Sequence, residues 1–179
     1  MFFDRDGVLN RAMVREGKPY PPSTVAELEI VEGAAEGLQR LKALGFLLLV
    51  ATNQPDVSRG TQSREAVDEF HALMRRTLPV DEFLVCAHDD RDGCQCRKPK
   101  PGLLVDAQAR YGIDMGRSYM VGDRWRDIDA GQAAGCRTVW LDMGYRERGP
   151  SQAPDATVGT LGEAVEWIIR SAEGDGRDG

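Results

Sequence analysis

The stretch MFFDRDGVLN, residues 1–10, joins a short apolar run to two aspartates that are separated by a single residue. In an extended chain, alternate side chains point to the same side, so Asp4 and Asp6 present their carboxylates together, and Gly7 lets the backbone bend away. Two carboxylates this close repel each other unless a cation or a shared proton lies between them. The stretch is therefore typical either of a solvated turn or of a metal or acid/base site, and its place at the end of an apolar run favours the site.

Short apolar runs alternate with helical spacing along the chain. The apolar runs lie at residues 1–3, 46–51, 83–86, 118–121 and 137–141. Each is too short for a helix, and several lack polar alternation, as parallel strands buried on both faces do. Helical spacing is found at residues 34–45 and 67–78, and further helices are expected to begin near residues 101, 125 and 161. This alternation predicts an α/β, Rossmann-like, three-layer fold with a central, mostly parallel sheet.

Composition narrows the class of protein. The 179 residues, 41% of them hydrophobic, suit one domain over residues 1–173 followed by a polar tail at residues 174–179. A net charge of −6 argues against a nucleic-acid partner, because such proteins show basic surfaces. No apolar run reaches the roughly 20 residues that span a bilayer, and the chain does not open with a signal-peptide pattern. We expect a cytoplasmic monomer that binds neither nucleic acid nor membrane; only three residues precede Asp4, so the native start stays open.

Polar side chains follow the first four of these runs. After Asp4 and Asp6, the candidates are Thr52, Asn53, Lys98, Asp123 and Asp127. Taken singly, these segments are ordinary turns, a solvated lysine and carboxylates at a helix start. Because the carboxyl ends of parallel strands meet at one edge of a sheet, where ligands bind, we expect these side chains to lie together.

Four segments, DRDGVLN, TNQ, RKPKPG and GDRWRD, resemble in this order the motifs of the haloacid dehalogenase-like phosphatase superfamily, over residues 1 to about 141. The resemblance implies a Mg²⁺-dependent phosphatase that works through an aspartyl-phosphate intermediate. It implies that Asp4 is the nucleophile and that Asp6 is the general acid and base.

The same resemblance implies the remaining roles in the site. Mg²⁺ would be held by the side chains of Asp4 and Asp123 and by the backbone carbonyl of Asp6, with Asp127 supporting these ligands. Thr52 and Lys98 would neutralise the phosphoryl oxygens, and Asn53 would help to place the nucleophile or the substrate.

The segment CAHDDRDGCQC, residues 86–96, concentrates three of the four cysteines. Its four candidate ligands are Cys86, His88, Cys94 and Cys96. This set favours a closed, tetrahedral and therefore structural zinc site that staples the loop. A disulfide or redox pair and unconnected buried cysteines are the alternatives, although thiols in a reducing cytoplasm tend to stay reduced or bind metal.

With a candidate zinc loop directly before RKPKPG, the sequence resembles one subgroup of this superfamily. That subgroup contains the D-glycero-D-manno-heptose-1,7-bisphosphate and histidinol-phosphate phosphatases. That resemblance implies a fold without a large cap domain, in which loops select the substrate. Arg59 and Arg97 are candidates to grip the distal phosphate or the hydroxyls of a sugar bisphosphate, and a solvated cation is the alternative for Arg59. The sequence leaves open whether Arg146 and Arg148 contact substrate.

The resemblance favours D-glycero-D-manno-heptose 1,7-bisphosphate as the substrate, which would lose its 7-phosphate. The alternatives are histidinol phosphate or another small phosphomonoester. A non-catalytic zinc-scaffold protein is less favoured because Asp4 and Asp6 are both present.

Overall fold

The computed structural model describes residues 1–175. Its strands, in chain order, are β1 Phe2–Phe3, β2 Met13–Arg15, β3 Lys18–Tyr20, β4 Leu49–Asn53, β5 Glu82–Cys86, β6 Tyr119–Gly122, β7 Arg137–Leu141 and β8 Ala156–Val158. Its α-helices are α1 Ala34–Ala43, α2 Asp56–Arg59, α3 Arg64–Thr77, α4 Gly102–Tyr111, α5 Trp125–Ala133 and α6 Leu161–Asp175.

The central sheet has six strands in the order β5-β4-β1-β6-β7-β8, and every neighbouring pair is parallel. Helices connect the strands of this sheet in chain order except between β7 and β8, and α6 follows β8. These helices cover the two faces of the sheet and give the three-layer α/β fold predicted above. All carboxyl ends therefore lie at one edge. The fold prediction is confirmed, and the sheet is wholly rather than mostly parallel.

Alternate residues of β1 supply the two cores. Phe2, in register with Leu49 and Met120, belongs to the cluster that includes α4. Phe3, in register with Val50 and Val121, belongs to the larger cluster that includes α1, α3 and α6. Both phenylalanines are fully buried, so a two-residue strand is held from both sides and fixes the position of Asp4 behind it.

Three elements of the structure were not predicted from the sequence. The hairpin of β2 and β3 is mostly exposed, and β8 has no fully buried residue, so neither carries an apolar run. Helix α2 has four residues, too few for a helical period. The predicted strand at 46–51 begins instead at Leu49 and runs through Asn53. Thr52 and Asn53 are therefore the last two residues of the strand itself.

Within residues 1–175, no insertion forms a separate cap domain, and the hairpin is the main addition between β1 and α1. No helix in this part of the chain is long and apolar enough to cross a membrane. Of the predicted polar tail, residues 174 and 175 extend α6, and residues 176–179 lie outside the described residues.

Candidate active site

Lys98 is the centre of the site. Its ammonium lies 2.8 Å from Oδ1 of Asp4 and 2.5 Å from Oδ1 of Asp127, and it donates to the carbonyl of Ala51 at 2.6 Å. The lysine and both aspartates are buried. These residues come from the ends of three different elements, which the parallel sheet brings to one edge. A buried ammonium with three acceptors is satisfied, and it holds Asp4 in a fixed position.

The site carries more negative than positive charge. Burial, followed by the charge of Asp127, raises the pKa of Asp4 to about 6, although Lys98 pulls it down. Burial and the charge of Asp4 raise the pKa of Asp123 well above its ordinary value. Burial alone would lower the pKa of Lys98, but Asp127 and Asp4 raise it on balance. One lysine therefore does not neutralise the cluster, and a further cation is needed to keep all the carboxylates ionised.

Asp123 is the group that most clearly lacks a partner. Its side chain is buried, and neither carboxylate oxygen has a well-formed hydrogen bond among the described residues, although the Tyr145 hydroxyl lies nearby. Oxygens of Asp4, Asp123 and Asp127 lie within 4.8 Å of one another. A buried set of carboxylate oxygens suits a hard cation such as Mg²⁺.

Gly7 makes room for this cluster. Its φ of +88° lies in the left-handed region, and a Cβ at this position would lie 1.8 Å from Oδ2 of Asp123. Only glycine permits both the turn after Asp6 and the close approach of Asp123. Steric crowding by Asp123 thus explains why the last position of the DxDG pattern is a glycine.

Asn53 holds the backbone of Lys98. Its Oδ1 accepts from the Lys98 N–H at 3.1 Å, and its Nδ2 donates to the Lys98 carbonyl at 3.0 Å. Thr52 lies beside it at the cleft, fully buried, and its Oγ1 accepts from Gln54 at 2.9 Å. Asn53 therefore helps to position the nucleophile Asp4 indirectly, because it holds Lys98, which contacts Asp4. The spacing of these residues in the sequence does not predict this contact.

Asp6 is held by three side chains. Arg5 donates from Nε and Nη2 to both carboxylate oxygens at 2.9 to 3.2 Å. Asn10 donates to Oδ1 at 3.1 Å, and Gln54 donates to Oδ2 at 3.0 Å. Sequence reasoning missed Arg5, Asn10 and Gln54 in this role, although all three lie within the quoted motifs. The Asp6 carboxylate is thereby kept apart from the Asp4, Asp123 and Asp127 cluster.

The four predicted zinc ligands lie together. The sulfur atoms of Cys86, Cys94 and Cys96 are 3.1 to 3.7 Å apart, and Nδ1 of His88 lies 3.6 Å from Cys86 and 3.3 Å from Cys96. All three cysteines are free, since a disulfide would need about 2.05 Å. A tetrahedral centre with Zn–S bonds of about 2.3 Å needs ligand atoms at about these separations. The residues present fit zinc.

Cys136 is outside this cluster and packs in the smaller core. His71 is buried as well, and it contacts Arg5.

The two predicted substrate arginines both bind acidic side chains of the cysteine-rich loop at residues 86–96. Arg97 donates to Asp90 at 2.8 Å and to the His88 carbonyl at 3.2 Å. Arg59 binds Asp89 across the loop. Both arginines line one cleft of about 350 Å³ together with the catalytic candidates.

The cleft is also lined by residues that were not predicted individually from the sequence. The additional charged groups that line it are Lys18, Asp56, Asp90, Arg124, Arg126 and Glu147. Arg146 and Arg148 do not line it: Arg148 binds Asp129 at 2.9 Å and lies over the ring of Trp125. The cleft is therefore a small polar site with carboxylates at its base and arginines around its rim.

Comparison with known proteins finds relatives that all point to the same family. A family model described as HAD-hydrolase-like matches residues 95–164. The D-glycero-beta-D-manno-heptose-1,7-bisphosphate 7-phosphatase of Escherichia coli (strain K12) is 33% identical over 183 residues, covering 96% of this chain and 88% of the relative. The enzyme of the same name from Pseudomonas aeruginosa is 33% identical over 149 residues, covering 80% of this chain and 81% of the relative.

Solved structures show the same fold. The crystal structure of D,D-heptose 1,7-bisphosphate phosphatase from B. bronchiseptica, complexed with magnesium and phosphate, has a TM-score of 0.78 and 27% identity, and covers 96% of this chain and 98% of that chain. A HAD-like phosphatase structure from Mesorhizobium loti has a TM-score of 0.72 and 28% identity, and covers 94% of this chain and 85% of that chain.

The substitution Asp123→Asn tests the carboxylate cluster as a cation site. We expect the metal-free variant to be at least as stable as the wild type, because repulsion with Asp4 and Asp127 is relieved. It should also lose the stabilisation by Mg²⁺, which for the wild type is about 2.7 kcal/mol at a hundredfold excess over Kd. Thermal unfolding with and without MgCl₂ measures both effects. Asp106→Asn, an exposed change on α4, is the control, and an undiminished Mg²⁺ response in Asp123→Asn contradicts the assignment.

Proposed function

Because the chain belongs to the HAD-like phosphatases, the family that includes the D-glycero-beta-D-manno-heptose-1,7-bisphosphate 7-phosphatases, we propose that it removes the 7-phosphate of a heptose 1,7-bisphosphate. The observation that carries the proposal is the buried cluster of Asp4, Lys98 and Asp127 at the base of a cleft rimmed by arginines, with Asp123 within 4.8 Å of both aspartates. The base of the cleft suits the phosphoryl group that is transferred, and the rim suits a second anionic group.

In the first step, a carboxylate oxygen of Asp4 attacks phosphorus while the bond between phosphorus and the sugar oxygen breaks. Asp6 gives its proton to the departing sugar oxygen, so an alcohol leaves. Lys98 holds Asp4 by its ammonium and offsets the negative charge of the phosphoryl oxygens, and the Thr52 hydroxyl is placed at the same cleft.

In the second step, the ionised Asp6 takes a proton from water, which attacks phosphorus and frees the Asp4 carboxylate together with inorganic phosphate. Asp4 and Asp123 would hold Mg²⁺ together with the Asp6 carbonyl, with Asp127 behind them, and the ion would supply positive charge against the anionic phosphoryl group. Asp127 also keeps Lys98 in place, because its Oδ1 binds the ammonium.

The zinc loop has a structural role in this proposal. Zinc held by Cys86, His88, Cys94 and Cys96 would fix the backbone that leads directly to Arg97 and Lys98. The loop already binds Arg97 through Asp90 and through the His88 carbonyl. A closed set of four ligands leaves no position for substrate, so this metal would shape the cleft and take no part in the chemistry.

A bisphosphate fits the charge of the rim. Arg97, Arg59 and Arg126 are paired with zinc-loop acids or Asp56, and a distal phosphate would compete with Asp90 for Arg97 and Arg126. Guanidinium groups bind phosphate with two donors in a fixed geometry.

We also propose that the chain acts as a cytoplasmic monomer, folded as one domain over residues 1–173. The free thiols of the zinc loop suit a reducing compartment. The net charge of −6 disfavours nucleic acid as a partner.

The direct test of function is phosphate release from D-glycero-β-D-manno-heptose 1,7-bisphosphate with and without Mg²⁺. We expect Mg²⁺-dependent release that Asp4→Asn lowers by about a thousandfold or more, because an amide is not a nucleophile. The control is Asp68→Asn, an exposed change on α3. Substantial turnover by a folded Asp4→Asn protein excludes the aspartyl-phosphate route, and histidinol phosphate, assayed in parallel, tests the alternative substrate.

Metal analysis tests the zinc site. We expect about one zinc per chain, a loss of that zinc in Cys94→Ala, and a lower melting temperature in that variant. Cys136→Ala, which removes the cysteine outside the cluster, should keep the zinc. A zinc-free wild type with undiminished stability would refute the structural role.

Arg97→Ala tests recognition of the distal phosphate. We expect kcat/KM for the bisphosphate to fall about tenfold more than for a monophosphate, which corresponds to about 1.4 kcal/mol of selective transition-state binding. Arg91→Ala, which changes an exposed arginine of the same loop that does not line the cleft, is the control. Equal losses on both substrates deny Arg97 a selective role.

A further inference from the structure

A buried chain of contacts leads from Asp6 away from the cleft. Arg5 binds both Asp6 oxygens through Nε and Nη2, and its remaining nitrogen, Nη1, lies 3.2 Å from Nε2 of His71. The Arg5 side chain is fully buried, and His71 is only 5% exposed. None of the steps described above uses His71.

The contact with Arg5 fixes the state of the His71 ring. A guanidinium has donors only, so Nε2 must offer a lone pair, and the ring must be neutral with its proton on Nδ1. Burial and then the positive charge of Arg5 lower the pKa of His71 to about 3. The charged groups around the ring act in different directions: Arg5, Arg75 and Arg64 disfavour the imidazolium, and Asp6 favours it. His71 therefore acts as an acceptor at neutral pH.

Two aromatic rings hold this pair in place. His71 stacks on Phe83 with ring centroids 4.2 Å apart and an angle of 15° between the planes. The Arg5 guanidinium lies over Phe70 at 5.3 Å. Neither aromatic ring could accept from Nη1 as a ring nitrogen does, so loss of the His71 acceptor would leave a buried donor with nothing comparable to bind.

We propose that His71 is a positioning residue for the general acid and base, acting through Arg5 on Asp6. The inference rests on the proposed function, in which Asp6 gives its proton to the leaving oxygen as the bond from phosphorus to that oxygen breaks. A general acid must lie within hydrogen-bond reach of the atom it protonates, and a small displacement lowers its contribution. His71 fixes the far end of Arg5, and Arg5 fixes the plane of the Asp6 carboxylate.

Two substitutions separate this role from simple packing. His71→Phe keeps a ring to stack on Phe83 but removes the acceptor. His71→Gln removes the ring but offers an amide oxygen to Nη1. A packing role predicts that Phe is the better replacement, whereas a positioning role predicts that Gln is.

The readout is the dependence on the leaving group. 4-Nitrophenolate leaves without protonation, whereas phenolate from phenyl phosphate gains more from a general acid, and the two esters differ only in the nitro group. We expect His71→Phe to lower kcat/KM for phenyl phosphate about tenfold more than for 4-nitrophenyl phosphate, and His71→Gln to restore the wild-type ratio. Met74→Ala, a buried change on the same face of α3, is the control and should leave the ratio unchanged even if stability falls.

A second measurement needs no variant and no turnover. Nitrogen NMR of ¹⁵N-histidine-labelled protein distinguishes a protonated from an unprotonated ring nitrogen, and the chain has only two histidines to assign. We expect His71 to keep an unprotonated Nε2 and a protonated Nδ1 between about pH 5 and pH 8. A proton on Nε2 in that range overturns the proposal, whether or not His71→Phe folds.

The outcomes of these experiments are distinguishable. If the wild type hydrolyses neither ester and does not hydrolyse the heptose bisphosphate, the proposed function fails. If it hydrolyses the esters, and the folded His71→Phe protein loses activity equally on both or His71→Gln fails to restore the ratio, only the role of His71 fails.

Discussion

The structure depends on one electrostatic constraint: a cluster of three buried carboxylates has a single buried ammonium to offset its charge. Asp4 and Asp127 share Lys98, while Asp123 lacks a well-formed partner among residues 1–175. An excess of buried negative charge is costly unless a cation joins it, so the site is unfavourable when empty and favourable with a metal and a phosphoryl group. The parallel sheet makes this arrangement possible because it delivers these side chains from separate strand ends to one edge.

The surrounding contacts hold the side chains of that cluster in position. Asn53 fixes the backbone of Lys98, and the loop at residues 86–96 binds Arg97 immediately before it. The rim arginines are already paired with acidic side chains, which keeps them oriented without substrate. Binding a second phosphate would then exchange one anionic partner for another, and selectivity would depend on how well the phosphate competes with Asp90.

Much of this could be predicted from the sequence, for physical reasons. Apolar runs of three to six residues predicted the buried strands, and polar residues after the first four runs predicted the edge of the sheet where the site lies, since both follow from local pattern. Contacts between side chains distant in sequence could not be predicted: Asn53 with Lys98, Gln54 with Asp6, and Arg5 with His71, 66 residues away, leave no spacing signal. The β2–β3 hairpin escaped because exposed strands carry no apolar periodicity.

The central claim is that Asp4 carries the phosphoryl group, and an acid quench followed by peptide mass spectrometry tests it most directly. In Asp6→Asn, 4-nitrophenyl phosphate should still phosphorylate the enzyme, because its leaving group needs little protonation, while hydrolysis of the intermediate is slowed by loss of the base. We expect one phosphoryl group on the peptide that contains Asp4. Release of 4-nitrophenolate without a phosphorylated peptide, or a phosphoryl group on another residue, would contradict it.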